Sequence, residues 1–283
     1  MYKNKTQLIN EIADKAKTMR KHAIKLTLGA GAPGAHIGPG LSIMEIVSTL
    51  YFGVMKIDPK NPDWPDRDRF LLSKGHAVLG LYPALAEAGF FSIEMLYTFE
   101  KKDSHLAGHP CAVGVPGIEC SSGSLGHGLS FGLGIAMAAK INKKNYDTYV
   151  LLGDGEINEG MVWEAALVAG HFKMDNLIAI VDRNGLQLDG FCKEVMDMEP
   201  LTDKWKSFGW NVIDVDGHNI EQLLDAFDKE RRVAGKPLAI IAKTIKGKGV
   251  SFIENRVEWH KAPISKEQAE LALYEIEMGR AAK

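Results

Sequence analysis

The chain has 283 residues, enough for one large domain or two small ones and for a core that buries roughly 75% of the unfolded surface. Hydrophobic residues make up 46% and charged residues 25%, which excludes a mainly disordered chain. Lys+Arg 34 against Asp+Glu 36 leaves a net charge of −2, so no basic field favours nucleic acid or an anionic membrane. In chain order, Leu8, Ile12, Ala16, Met19, Ala23 and Leu26 recur near every 3.6 residues and predict a helix over 7–28. A glycine-rich loop follows at 29–40, then a helical pattern at 41–53 and a short strand at Phe70–Leu72. A second glycine-rich loop (108–128) runs into an Ala- and Gly-rich helix at 124–142. Strands are predicted at Tyr149–Leu152, Leu177–Val181, Val212–Val215 and Leu238–Ala242. Helical patterns separate them at 157–172, loosely at 185–208 and clearly at 219–234, and a last helix is expected at 265–279. This alternation predicts an α/β fold, a doubly wound parallel sheet with helices on both faces. No linker divides it, so residues 1–283 are expected to form one domain.

Cys111, Cys120 and Cys192 are an odd set with no C-x-x-C, which argues against a disulfide framework or zinc knuckle. The amino terminus reads as mixed polar rather than as an apolar signal, and no apolar run approaches the ~20 residues that span a bilayer. The expectation is a soluble protein of the cytoplasm.

Ligands of parallel sheets bind outside the carboxyl ends of the strands. There the sequence places Gly153-Asp154-Gly155 after one strand and Asn184-Gly185-Leu186 after the next. The right-handed βαβ crossover brings Asp154 and Asn184 to the same edge. One carboxylate and one amide oxygen make a poor calcium cage. They suit Mg²⁺, which completes its octahedron with phosphate oxygens and water. The glycines allow close backbone approach, and the helix start at Gly155-Glu156 offers free N–H groups to a phosphate. Each motif alone is also an ordinary turn; together at one sheet edge they point to a magnesium–diphosphate site. No P-loop occurs to support an NTPase reading, and no G-x-G-x-x-G follows a strand to support a dinucleotide one.

Gly153-Asp154-Gly155 with Asn184 resembles the signature of thiamine-diphosphate enzymes. Arg67–Ala77, Gly108-His109-Pro110, Gly123-Ser124-Leu125-Gly126, Asn176–Ile180 and Trp259–Pro263 resemble transketolases specifically, over about residues 12–270. The resemblance covers the diphosphate-binding half and implies the N-terminal subunit of a split bacterial transketolase. It implies that His76 and His260 contact the cofactor's phosphates, and that His36, His109 and His260 face the sugar as catalytic groups. Imidazoles with ordinary pKa near 6.5 suit the proton transfers of ketol exchange. It further implies that Gly123, Ser124, Leu125 and Lys246 contact the cofactor, that the Leu186 carbonyl completes the metal ligands with Asp154 and Asn184, and that Glu159 lies at a subunit interface. Other readings of single residues stay open: Lys246 as a solvated loop charge, Glu159 as a helix-start carboxylate favoured by the macrodipole. His22, His171 and His218 are expected to be structural, and His105/His109 no zinc pair, since Gly108 and Pro110 break any helix. Cys111, His127 and Arg183 depart from the family pattern.

The resemblance thus implies thiamine diphosphate with Mg²⁺, or another divalent ion such as Ca²⁺ or Mn²⁺. It implies a separate C-terminal subunit carrying the pyrimidine-binding domain and its activating glutamate, in an α2β2 heterotetramer acting on sugar phosphates. Alternatives are an α-type subunit of a 2-oxo acid dehydrogenase, a split transketolase for a sulfonated or branched ketose, and a non-catalytic cofactor-binding module.

Overall fold

The computed structural model describes residues 4–188 and 190–279. Helix α1 (Lys5–Ala30) starts at Asn4, whose side chain accepts from the Thr6 N–H while Gln7 Oε1 accepts from the Asn4 N–H, a reciprocal cap. Its buried stripe runs through Ile12, Ala16, Met19, Ala23 and Leu26. Two short helices follow, α2 (Ile37–Leu41) and α3 (Met44–Thr49), then β1 (Arg69–Leu72), α4 (Val78–Ala88) and α5 (Ile93–Leu96). An irregular stretch leads to α6 (His127–Ile141), β2 (Thr148–Gly153), α7 (Gly160–His171) and β3 (Leu177–Arg183). The remainder comprises α8 (Cys192–Val195), α9 (Leu201–Ser207), β4 (Asn211–Asp216), α10 (Ile220–Phe227), β5 (Leu238–Lys243) and α11 (Lys266–Met278).

The strands form one parallel sheet in the order β1-β2-β3-β5-β4. Register aligns Leu71, Val150, Ala179 and Ala239 in one row and Leu72, Leu151, Ile180 and Ile240 in the next. Because side chains alternate along a strand, these rows feed opposite faces. The first row packs with residues of α6, α7 and α9; the second packs with residues of α1, α3, α4, α10 and α11. The chain steps from β2 to β3 and on to the edge strand β4 with α7 and α9 on one face. It then reverses to β5 through α10 on the other, as right-handed crossovers require. Gly132 lets α6 press on β2, since a Cβ there would lie 2.4 Å from Val150 Cγ2.

The five expected strands are all present, and a doubly wound sheet is what they build. Three local expectations differ, one of them the helix at 219–234, which ends at Phe227 because Asp228 leaves the helical region with ψ 122°. The helix after Asp154 starts at Gly160, not near 157: the Glu156 carboxylate turns back to the Gly153 N–H at 2.9 Å and Glu159 is extended. The loose pattern at 185–208 is mostly not helical. Gly185 adopts φ +77°, Leu186 bridges Phe191, and the Cys192 N–H returns to Gly185 O at 2.9 Å, so a small hairpin stands there. Helix resumes at Leu201, after Pro200, which has no N–H to donate. Helix α4 carries no polar face to reveal its period, being buried from Val78 to Ala86.

Candidate functional site

Loops after β1, β2, β3 and β5 meet at the carboxyl edge of the sheet and enclose a cleft of about 280 Å³. From the loop after β1 come Lys74 and His76; after β2, Gly153 to Glu156; after β3, Asn184, Leu186 and Leu188; after β5, Lys246. The first glycine-rich loop adds His36 and the second adds His109, Gly123 and Leu125, while His260 arrives from the segment before α11. Ala35 and Ala262 pair across the cleft through two backbone hydrogen bonds of 3.2 Å. Gly34 makes that approach possible: its φ is +64°, and a Cβ there would sit 2.2 Å from the Ala262 carbonyl carbon.

Four imidazoles converge. His36 lies 5.4 Å from His76, 5.6 Å from His109 and 5.4 Å from His260 by ring centroid, and His76 lies 5.0 Å from His260. Burial, then neighbouring cations and imidazoles, lowers their pKa values: His36 to about 4, His76 to about 2 and His260 to about 3, with His109 lowered too. All four are therefore neutral near pH 7, so each can donate a hydrogen bond from one ring nitrogen and accept one at the other. Lys246 is 1% exposed. Its Nζ lies 3.0 Å from His260 Nδ1, and among the described residues no carboxylate is within ion-pair distance of it. Burial first, then the charge of Lys74, lowers its pKa to about 8.

Asp154 is 7% exposed and accepts from the Gly155 N–H at 2.9 Å and the Gly185 N–H at 2.5 Å. Burial, then the charge of Asp182, raises its pKa to about 6 despite these donors. Asn184 Oδ1 accepts from the Leu186 N–H at 3.1 Å, and its Nδ2 donates to Asp182 Oδ2 at 2.9 Å. Glu156 is directed into the protein. Its carboxylate accepts from Ser73 Oγ and from the N–H groups of Gly126 and Gly153 at 2.8 and 2.9 Å, tying three loops together. Burial raises its pKa against those donors.

Of the residues expected from sequence, His36, His76, His109, Gly123, Leu125, Asp154, Gly155, Glu156, Asn184, Leu186, Lys246 and His260 line this one cleft. Ser124 lines the adjoining hollow with Gly123 and His127. Glu159 is exposed beside Gly126, just before α7. His22 bonds Tyr97 and Glu87, and His218 bridges Glu45 and the Ile245 N–H, as structural histidines do. The sequence reading passed over Lys74 and Asp182. They form a buried ion pair at the cleft floor, with Ser42 Oγ 2.7 Å from Asp182 Oδ2 and Thr244 Oγ1 donating to Oδ1. A lysine two residues past β1 and an aspartate at the end of β3, both in the quoted motifs or beside them, were the available signal. Burial opposes Asp182's charge, but Lys74, Thr244 and Ser42 hold its pKa below the usual carboxylate value.

A parallel sheet whose carboxyl edge presents Gly-Asp-Gly, a facing Asn and an unpaired buried lysine defines a domain built to hold a diphosphate. Residues 12–281 match the family model described as transketolase, thiamine diphosphate binding domain. The chain belongs to the transketolase family, as its N-terminal, thiamine-diphosphate-binding part. It is 44% identical over 250 residues to the 6-deoxy-6-sulfo-D-fructose transketolase subunit of Clostridium sp. (strain MSTE9), covering 88% of this chain and 90% of that one. It is 44% identical over 257 residues to an apulose-4-phosphate transketolase subunit of Phocaeicola vulgatus, covering 91% and 90%. The crystal structure of transketolase from Campylobacter jejuni superposes with a TM-score of 0.88 at 32% identity, over 95% of this chain but 43% of that one. The chain thus spans nearly the whole of split subunits and less than half of a full-length transketolase.

Proposed function

We propose that residues 1–283 act as a single diphosphate-binding domain. With a separate pyrimidine-binding C-terminal subunit, it moves a two-carbon ketol unit from an anionic ketose to an aldose phosphate in the cytoplasm. The observation that carries this reading is Lys246: a lysine buried without a carboxylate partner is costly, and a diphosphate supplies the missing anion. A divalent ion fits beside it. Among the described residues no cluster of three or more His, Cys, Asp or Glu side chains is placed to hold a metal. Asp154, Asn184 Oδ1 and the Leu186 carbonyl would give an oxygen-only partial set of the kind Mg²⁺ completes with phosphate and water. Ca²⁺ or Mn²⁺ can take the same ligands.

When bound, thiamine diphosphate supplies the carbon nucleophile that attacks the ketose carbonyl. The chain's own residues do the rest. Lys246, His76 and His260 face the phosphates; Gly123, Ser124, Leu125 and Gly155 admit the cofactor closely, and Glu156 holds their loops in register. His36, His109 and His260 line the sugar side. As neutral imidazoles they would donate a hydrogen bond to the ketose oxygen as charge builds on it and accept one from the hydroxyl whose proton must leave.

The two relatives are named for 6-deoxy-6-sulfo-D-fructose and for apulose-4-phosphate, which favours a specialised anionic donor over ordinary pentose phosphates. Glu159 and the exposed apolar outer faces of α6 and α7 support an α2β2 assembly built across them. The test is a ketol-transfer assay across a ketose panel with thiamine diphosphate and Mg²⁺. We expect no turnover from the chain alone and robust turnover once the partner subunit is added. Turnover by the chain alone, or 2-oxo acid decarboxylation by the assembled complex, would remove this reading.

A further inference from the structure

We propose that Asp182, with Lys74 behind it, is a positioning residue: it turns the amide nitrogen of Asn184 inward, so that the amide oxygen is the atom offered beside Asp154. The inference rests on the metal reading above. Asp182 stands at the end of β3 and is 0% exposed. Its Oδ2 accepts from Asn184 Nδ2 at 2.9 Å, from Ser42 Oγ at 2.7 Å and from Lys74 Nζ, while Oδ1 accepts from Thr244 Oγ1. An ionised carboxylate accepts and never donates. Facing it, Asn184 can present only its NH₂; the flipped amide would set its oxygen against a carboxylate oxygen of Asp182, which is 0% exposed.

The two ends of a primary amide have nearly the same shape, so packing alone does not choose between them. The choice matters, because a metal takes the oxygen and rejects the nitrogen. Lys74 supplies the countercharge without which a carboxylate at this depth is expensive. Ser42, Lys74 and Thr244 come from the segment after α2 and from the loops after β1 and β5. The orientation of one ligand is therefore referred to four separate parts of the fold. Groups behind a metal ligand typically alter metal affinity by about 10–100-fold when removed.

The experiment compares two charge-neutral pairs in a common Lys74→Met background, so that any contact of Lys74 with the diphosphate cancels. Lys74→Met/Asp182→Leu deletes the acceptor, whereas Lys74→Met/Asp182→Asn keeps a carbonyl oxygen that can accept from Asn184 Nδ2. Mg²⁺ is titrated calorimetrically into each full chain with thiamine diphosphate present, and the thermal midpoint is measured without ligands. We expect the Leu pair to bind Mg²⁺ at least about tenfold more weakly than the Asn pair. We expect similar thermal midpoints for both pairs. If the Leu pair fails to fold, Lys74→Met/Asp182→Ala takes its place; water filling that space pairs with either amide face, so the bias is still lost. Equal Mg²⁺ affinity in the acceptor-deleted and Asn pairs overturns the proposal. Asp154→Ala separates the two layers of the argument. Unchanged Mg²⁺ binding in that variant removes the metal site itself. Its loss there, with no loss in the Leu pair, removes only the positioning role.

Discussion

The carboxyl edge of the sheet and the outer faces of α6 and α7 invert the usual arrangement of a soluble protein in opposite ways. At the edge, charges are buried: Asp182, Lys74, Lys246 and Asp154 lie under loops. On the outer faces, apolar side chains are bare: Phe131 is 53% exposed, Ile141 77% and Leu167 56%. Buried charge without a partner and exposed apolar surface both raise free energy. On the function proposed above, an anion and a cation complete the first region, where Lys246 has no carboxylate partner, and protein completes the second. The difference lies in what completes them, and the two should respond to separate changes.

The largest separation should come from Asp154→Ala. Mg²⁺-dependent retention of thiamine diphosphate should fall by at least about a thousandfold, roughly 4 kcal/mol. The ligand-free thermal midpoint should move by no more than about 3 °C, because burial and the neighbouring Asp182 charge already disfavour its carboxylate in the empty site. Calorimetry with and without Mg²⁺ checks it; cofactor binding equal to wild type refutes the assignment. Next is the reverse experiment. Phe131→Asp with Leu167→Asp should shift the complex with its partner toward smaller species by light scattering, weakening association by about a hundredfold. Cofactor affinity of the isolated chain should be untouched. If cofactor affinity falls in step with assembly, the two regions are one unit and the comparison is wrong.

Within the cleft, His109→Ala should lower turnover of the assembled enzyme by about a hundredfold with little change in cofactor affinity, and His76→Ala should do the reverse. Equal behaviour would erase the division between sugar-facing and phosphate-facing imidazoles.

Acid should distinguish the regions more gently. His76 has a folded pKa of about 2 against 6.5 when unfolded, so on acidification the unfolded chain takes the proton first. Stability is whole above pH 6.5 and is lost as pH falls below it. At pH 5 the loss is about 2 kcal/mol from His76, and His36 and His260 add to it in the same direction. Denaturant unfolding between pH 7.5 and 5 measures this. Thiamine diphosphate, whose phosphates favour the protonated imidazoles, should flatten the slope. The smallest effect should come from Ser73→Ala, which removes one of three donors to Glu156 and should cost about 1–2 kcal/mol of stability.

Much of the site was legible because it is local. Asp154, Asn184 and the loop histidines sit within a few residues of strand ends or glycine turns, where a parallel sheet collects its functional groups. Strands read well because their alternate residues feed two cores and leave almost uninterrupted apolar runs, as in Leu177–Val181. Helix α4 was not readable, since a segment buried on every side has no amphipathic contrast, and Pro83 disguises it further. The hairpin at 185–192 failed for a different reason. Its hydrogen bonds depend on one left-handed glycine, and the residues between still mimic a helical composition. The Lys74–Asp182 pair lay beyond the reach of spacing altogether: its members are 108 residues apart and become partners only when β1 and β3 flank β2.

The pairing of Ala35 with Ala262 carries a consequence for how the protein is made. Those two backbone bonds bring His36 and His260 into contact although nearly the whole described chain separates them. Synthesis runs from the amino end, and early portions of a protein begin to organise before late ones exist. Here the first half can assemble α1 and the loops that carry His36, His76 and His109, yet the phosphate-facing lysine and the fourth imidazole are still unmade. An unfinished or truncated product would therefore possess the glycine loops and the Asp154 turn without a working grip on the cofactor. On the function proposed above, capture of thiamine diphosphate waits until Lys246 and His260 have been made.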